Sequence, residues 1–163
     1  MIPCLLKKDE LISERQSGAH VLLVEDNPAI ACLASRLLCR PPVNLTVDHV
    51  DSGEAALAYL RQDYPYTGRP APSLILLDLD LPGMDGHEVL RHVKRSPAWS
   101  DIPVVIFTSS DCIADQLAAE RNGASGYLSK PLTCEEWSHV VKELRQRCSQ
   151  PRAAGRAGSD LES

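Results

Sequence analysis

The chain has 163 residues, of which 44% are hydrophobic and 24% are charged, and this average mixture excludes a fully disordered, collagen-like or coiled-coil protein. The 22 acidic and 17 basic residues give a formal net charge of -5, which is unfavourable for sequence-independent binding to nucleic acid. No apolar run approaches the roughly 20 residues of a membrane-spanning helix, so we expect one cytoplasmic domain with neither nucleic acid nor a membrane as partner.

The first half of the chain alternates between apolar runs and amphipathic segments. Residues 20–25 predict a strand that is buried on both faces. Asn27 and Pro28 are residue types that begin helices, and apolar residues at helical spacing follow them. Residues 45–50 predict a more polar strand near an edge of the sheet. A second helix comes next, and then a loop over residues 63–72 that is rich in Pro, Gly and Tyr.

The second half continues the same alternation. Residues 73–78 predict the most hydrophobic strand, and a turn separates it from a helix over residues 86–95. Two further strands, residues 103–108 and 126–129, flank a fourth helix over residues 111–122. A fifth helix follows the last strand.

Five strands that alternate with five helices predict an α/β fold with a parallel sheet covered on both faces. Right-handed crossovers and this length favour a doubly wound, flavodoxin-like sheet in the strand order 2-1-3-4-5. We assign residues 19–148 to this domain. Residues 1–18 form a predicted N-terminal arm, and residues 149–163, which are rich in Ser, Gly, Ala and Arg, a predicted disordered tail.

The fifth helix has a clear start and a clear apolar face. Thr133 is predicted to cap it, and Glu136 completes a capping box. Trp137 and Val140 lie on the apolar face near this start. Core packing is the favoured use for these two side chains, and contact with a partner protein is the alternative.

Six cysteines are spread along the chain, and no two have the C-x-x-C spacing of a zinc or redox motif. Several lie among Leu, Val and Ala in helical patterns, which predicts small core side chains. We expect free thiols in a reducing cytoplasm. The six are Cys4, Cys32, Cys39, Cys112, Cys134 and Cys148.

Polar residues follow the predicted strands at one edge of the sheet. Glu25 and Asp26 end the first strand, Asp78 ends the third, Thr108 ends the fourth, and Lys130 follows the fifth. Because ligands in such sheets bind beyond the carboxyl ends of the strands, we expect these side chains to converge on one pocket. Any one of them alone is typical of a solvated loop, but the set at successive strand ends is not.

The chemistry of this set points to phosphoryl transfer. Three close carboxylates repel one another, and a hard cation such as Mg²⁺ relieves that repulsion through oxygen ligands. With a lysine ammonium beside the metal, a carboxylate can attack phosphorus because both cations neutralise the phosphoryl oxygens. The pattern therefore predicts formation of an aspartyl phosphate.

Four segments resemble the receiver domain of two-component response regulators. Together they lie within residues 19–147 and in the order typical of the family. They are V-L-L-V-E-D-N at residues 21–27, L-I-L-L-D-L-D-L-P-G-M-D-G at 74–86, V-V-I-F-T-S-S at 104–110 and G-Y-L-S-K-P at 126–131.

The resemblance implies a role for each acidic residue. Asp78 corresponds to the phospho-acceptor. Asp26 corresponds to a direct Mg²⁺ ligand and Glu25 to a ligand acting largely through water. The backbone carbonyl of Asp80 would be a further metal ligand. We also expect the Asp80 side chain to lie near the phosphoryl group and to affect its lifetime.

The same resemblance assigns the conformational switch. Thr108 corresponds to the hydroxyl that moves onto the phosphate, and Tyr127 to the aromatic ring that then turns inward. Lys130 would pair with the phosphoryl group. Its peptide bond to Pro131 is expected to be cis, a geometry found mainly before proline.

Two further segments, residues 56–72 and 93–105, are similar to stand-alone regulators paired with phytochrome-type sensor kinases. The implied partners are a sensor histidine kinase and a downstream protein target or phosphotransfer protein. A homodimer through the face made by the fourth helix, fifth strand and fifth helix is a further expectation. Such a chain is a signalling domain with possible autodephosphorylation and not otherwise an enzyme.

Three alternatives remain open at this point. Asp78 and Asp80 form a D-x-D motif, which also resembles phosphatases of the haloacid-dehalogenase class, although the acidic pair precedes it here. A receiver-like scaffold that is never phosphorylated is the second alternative, and the complete set of site residues disfavours it. A transcription factor is the third, but no helix-turn-helix pattern follows Arg147.

Overall fold

A computed structural model of the protein describes residues 19–41, 43–130 and 133–149. The predicted arm at residues 1–18, the predicted cis-proline Pro131 and residues 150–163 of the predicted tail lie outside the described residues.

Five strands and five helices alternate along the chain, and their bounds lie within two residues of the predicted ones. The strands are β1 (His20–Val24), β2 (Thr46–Val50), β3 (Leu74–Leu77), β4 (Val104–Thr108) and β5 (Gly126–Ser129). The helices are α1 (Pro28–Cys39), α2 (Gly53–Arg61), α3 (Gly86–Arg95), α4 (Ile113–Arg121) and α5 (Cys134–Ser149).

All strand pairs are parallel, and the sheet has the order β2-β1-β3-β4-β5. This confirms the predicted doubly wound fold. Alternate residues of the central strands face opposite sides and fill two separate cores. Leu22 and Ile75 face the core shared with α2 and α3, whereas Leu23 and Leu76 face the core shared with α1 and α5.

Two helix caps predicted from sequence are confirmed. The Asn27 side chain accepts hydrogen bonds from the backbone amides of Ala29 and Ile30. Thr133 and Glu136 form the predicted capping box. These caps satisfy backbone donors that a helix leaves unpaired and so fix where each helix begins.

The start of α3 packs tightly against the turn after β3. A capping box between Asp85 and Glu88 holds this start in place. Gly86, the first residue of α3, is buried directly against the backbone of Asp78 and Leu79. The helix thus touches the segment that carries the central aspartate.

A polar cluster closes the opposite, amino edge of the sheet. The Tyr59 hydroxyl lies 2.6 Å from Asp48 Oδ2 and 3.1 Å from the Pro70 carbonyl oxygen. His20 Nε2 lies 3.0 Å from both the tyrosine hydroxyl and the same carboxylate oxygen. The cluster ties the loop between α2 and β3 to strands β1 and β2.

Two expectations about packing are settled differently by the structure. Val140 is buried and Trp137 packs on Phe107 with ring centroids 5.7 Å apart, so core packing accounts for both. The core assignment of the cysteines is wrong for Cys32, Cys39 and Cys112, whose thiols are free and which are exposed. The helical spacing of Cys32 and Cys39 places them on the outer side of α1.

Among the described residues, no helix is long and apolar enough to cross a membrane.

Candidate functional site

Three carboxylates meet where β1 and β3 end side by side. Glu25, Asp26 and Asp78 each place one carboxylate oxygen within 4.8 Å of the others. Glu25 and Asp78 are buried, with exposed fractions of 0% and 2%, while Asp26 is exposed. The convergence predicted from the strand order is confirmed for these three residues.

Lys130 reaches this cluster from the end of β5. Its Nζ atom lies 2.7 Å from Glu25 Oε2 and 2.9 Å from Asp78 Oδ2. Its backbone amide donates to the Thr108 carbonyl at 2.8 Å, which anchors the residue beside β4. One ammonium group therefore bridges the two buried carboxylates.

The pKa values of Glu25 and Lys130 are both raised, for different reasons. Burial raises the pKa of the Glu25 carboxyl, although the Lys130 ammonium and the Asn27 amide oppose the shift. Burial by itself lowers the pKa of Lys130, but hydrogen bonds with Glu25 and Asp78 outweigh it, so this pKa is raised. Lys130 is thus held as a permanent cation.

The donor set suits a hard divalent cation. Glu25 Oε2 is buried, and the Lys130 ammonium lies 2.7 Å from it. Two neighbouring carboxylates add further oxygen ligands, and only Asp26 is open to water. All-oxygen donors with room for water are the ligands that Mg²⁺ and Mn²⁺ accept. The residues therefore fit a divalent metal.

Asp80 lies next to the central aspartate through its backbone. Its amide donates to Asp78 Oδ1 at 3.2 Å, and its own side chain is exposed. This hydrogen bond and the Lys130 ion pair fix the two oxygens of Asp78 separately. The roles predicted for the Asp80 carbonyl and carboxylate remain predictions.

The two predicted switch residues lie on neighbouring strands and meet at one loop residue. Thr108 is fully buried, and its Oγ1 accepts a hydrogen bond from the Ser110 amide at 3.3 Å. The half-buried Tyr127 donates its hydroxyl hydrogen to the Ser110 carbonyl at 3.0 Å. Burial is the largest cause of a raised pKa for the Tyr127 phenol. Ser110 thus contacts both switch residues through its backbone.

The side chain of Ser110 extends this arrangement to two residues that sequence reasoning missed. Its Oγ donates to Asp115 Oδ2 at 2.7 Å. Asp115 Oδ1 lies 3.2 Å from Nε2 of His87 on α3. The Ser110 and His87 hydrogen bonds, in that order of size, lower the pKa of the Asp115 carboxyl. No local motif marks these residues, because His87 and Asp115 are 28 positions apart.

Comparison with known proteins gives one consistent result. Residues 21–142 match the response regulator receiver domain family. The probable methanogenesis regulatory protein FilR2 of Methanothrix harundinacea is 42% identical over 135 residues, which cover 83% of this chain and 86% of that protein.

Two similar proteins also have solved structures. The response regulator Rcp1 of Synechocystis is 39% identical over 124 residues, covering 76% of this chain and 84% of Rcp1. Its Mn²⁺-bound form superposes with a TM-score of 0.71 over 78% of this chain and 92% of that one. The phosphorylated cyanobacterial phytochrome response regulator RcpA superposes with a TM-score of 0.73 at 35% identity, covering 79% of this chain and 92% of RcpA.

Proposed function

The chain belongs to the response regulator receiver family of two-component signalling, and on that premise we propose that Asp78 accepts a phosphoryl group from a histidine kinase. The observation that carries the proposal is the contact of the Lys130 ammonium with the buried Asp78 carboxylate, beside two further carboxylates. A lysine held charged in this place is suited to neutralise an incoming phosphoryl oxygen.

In the proposed step, one Asp78 carboxylate oxygen attacks the phosphorus of a phosphohistidine. The new O–P bond forms as the P–N bond to the donor imidazole breaks, and the imidazole leaves with the bond's electron pair. Lys130 moves from the carboxylate to a phosphoryl oxygen. The Asp80 amide, 3.2 Å from Asp78 Oδ1, orients the nucleophile.

We propose Mg²⁺ as the metal, held by Glu25, Asp26, Asp78 and the Asp80 carbonyl. When bound, it supplies positive charge for the phosphoryl oxygens and relieves the repulsion among the carboxylates. The close approach of three carboxylates, two of them buried, supports this assignment. The Mn²⁺-bound form of the similar regulator Rcp1 supports a divalent metal in general.

The proposed output is a change at the face made by α4, β5 and α5. Phosphorylation would draw the Thr108 hydroxyl toward the phosphate and fix Tyr127 in its inward position. The α4 side of this face carries Ile113 and Leu117, which are 72% and 46% exposed. Such apolar exposure supports contact with a target protein, a phosphotransfer protein or a second copy of the chain.

We propose a phytochrome-type sensor kinase as the donor, since RcpA is described as a phytochrome response regulator. A cytoplasmic location would place the chain beside such a kinase. We further propose that the domain acts as a signalling switch whose only catalysis is loss of its own phosphate. The scaffold and phosphatase alternatives gain no support from the comparisons.

The test is intact-mass measurement after incubation with acetyl phosphate and Mg²⁺. Wild type should gain one phosphate, and Asp78→Asn should gain none. Asp80→Asn is the matched control, because it removes a neighbouring carboxylate that is not the acceptor, and it should still gain phosphate. EDTA should abolish the gain. Phosphate on Asp78→Asn would disprove the assignment of the acceptor.

A further inference from the structure

The contacts of Ser110 are arranged so that its side chain controls where its backbone lies. Its amide faces the Thr108 hydroxyl and its carbonyl accepts from Tyr127. Its hydroxyl, in contrast, donates to Asp115 in the first turn of α4. Because a fixed side chain restricts the φ and ψ angles of its own residue, the Asp115 contact positions both backbone groups.

Asp115 is itself held from a third element. His87 lies on α3 and its Nε2 is 3.2 Å from Asp115 Oδ1. The residue before it, Gly86, is packed against the backbone of Asp78. The side chains of Ser110, Asp115 and His87 are here termed the Ser110 network. They connect the acceptor segment with the loop residue that both switch side chains contact.

We propose that the Ser110 network positions the Ser110 carbonyl for the Tyr127 hydroxyl. It thereby favours the half-buried position of Tyr127 seen in this structure, here called its inward position. Its members are positioning residues for the switch, since none of them contacts the carboxylate cluster in the described residues. The inference rests on the proposed function, because it assigns the network a part in the response to phosphate at Asp78.

Three observations argue for a positioning role over simple support of a loop. The network joins two helices through side chains, His87 on α3 and Asp115 on α4. It ends on a backbone carbonyl that a titratable, half-buried side chain uses as its acceptor. Its central carboxylate accepts from both neighbours at once, and such charge-assisted hydrogen bonds are the stronger and more directional kind.

If the network favours the inward Tyr127, then it also favours the state that a phosphoryl group selects. A ligand that binds one of two states more tightly gains affinity when that state is populated beforehand. Loss of the network should therefore weaken binding of a phosphoryl mimic while the metal ligands remain intact.

The experiment uses the full chain labelled with 3-fluorotyrosine, which gives four tyrosine resonances. Tyr127→Phe assigns the resonance of interest. Tyr64, which is 91% exposed, provides the internal reference for a solvated ring. The fluorine shift and its change between H₂O and D₂O report how exposed Tyr127 is in the free protein. Binding of beryllofluoride with Mg²⁺ is measured on the same samples.

Ser110→Ala is the central variant, because it removes the hydroxyl but leaves the amide and carbonyl in the chain. We expect its Tyr127 resonance to move toward that of Tyr64, and beryllofluoride binding to weaken by about threefold to tenfold, as for loss of one hydrogen bond to a partly exposed carboxylate. Ser110→Thr restores the hydroxyl and should restore both values. Ser109→Ala, an exposed neighbouring serine, should change neither.

A second pair of variants tests the far end of the network. His87→Leu removes the donor to Asp115 and should shift Tyr127 in the same direction as Ser110→Ala. His87→Gln keeps an N–H donor near that position and should shift it less. Agreement between the two ends would show that the network acts as one unit.

Unchanged Tyr127 resonances in Ser110→Ala and His87→Leu would overturn the proposal, even if both variants unfold more easily, because the network would then only support the loop. Failure of wild type to bind beryllofluoride or to accept phosphate would instead refute the proposed function. In that case the Tyr127 resonance of the free protein still decides whether the network positions the ring.

Discussion

Replacement of Gly86 by alanine is a test in which helix propensity predicts a gain in stability and packing predicts a loss. Alanine is favoured over glycine in a helix by about 1 kcal/mol, so propensity alone predicts a more stable protein. In the structure, a Cβ on Gly86 would lie 2.6 Å from Leu79 Cα and 3.0 Å from the Asp78 carbonyl carbon, and it would overlap the carbonyl oxygen. Carbon atoms in contact are ordinarily about 3.5–4.0 Å apart.

The neighbouring backbone must therefore retreat by about 1 Å, and it cannot do so by rotating a side chain. Overpacking of this kind costs about 1–3 kcal/mol, which exceeds the gain from propensity. We expect Gly86→Ala to lower the unfolding free energy by about 2 kcal/mol, and the melting temperature by roughly 4–8 °C. Because the displaced backbone carries Asp78, phosphorylation by acetyl phosphate should slow by about tenfold to 100-fold.

Urea unfolding and intact-mass kinetics on the same samples measure the two effects. Gly126→Ala is the matched control, since its added methyl meets the guanidinium of Arg147 at 2.7 Å, the movable end of a long side chain. The unfolding free energy of that variant should fall by about 1 kcal/mol or less, and its phosphorylation rate should equal that of wild type. A Gly86→Ala protein as stable as wild type would refute the claim that α3 is packed on the acceptor segment.

Three further outcomes are expected. Lys94→Met leaves the carbonyls of Ser100 and Ile102 without their 3.1 Å and 2.7 Å donor, and should lower the unfolding free energy by about 1–2 kcal/mol in urea; an unchanged midpoint would contradict this. Ser110→Ala should raise the pKa of Asp115 in an NMR titration, because the serine hydrogen bond is the largest cause holding it low. A carboxyl whose pKa is lowered in the folded state stabilises the fold at pH values above its ordinary pKa of about 4. This stabilisation is lost as the pH falls, so the difference in unfolding free energy between variant and wild type should shrink below about pH 4. Asp80→Asn should change the half-life of the aspartyl phosphate by about twofold to fivefold, as expected for removing one charge near the phosphoryl group, and an identical decay rate would remove that role.

Much of the fold could be predicted because its determinants are local. The buried strands are continuous apolar runs, and caps such as Asn27 and Thr133 lie next to the helices they begin. The carboxylate cluster was also predictable, since parallel strands end at one edge and so bring Glu25 and Asp78 together. Nothing beyond strand order and residue type was needed for that step.

Features that depend on side-chain direction across elements were not predictable in this way. The Ser110 network joins residues from a loop and two helices, and each residue type alone is ordinary at its position. The exposure of Cys32 and Cys39 depends on which side of α1 faces the core, and small residues fit either side. Apolar spacing placed Trp137 on the correct helix face, but only the packed structure shows its partner, Phe107.

The position of the His20–Asp48–Tyr59 cluster determines which part of the surface can vary in sequence and length. The cluster lies toward the amino edge of the sheet, where His20 begins β1, and the five residues of that strand, roughly 16 Å of backbone, separate His20 from the carboxylates. The loop between α2 and β3 can therefore change in sequence without disturbing the reacting groups. Doubling its length costs only about 0.6 kcal/mol. The reacting groups constrain the carboxyl edge of the sheet, whereas a longer or altered loop at the amino edge can form a new recognition surface.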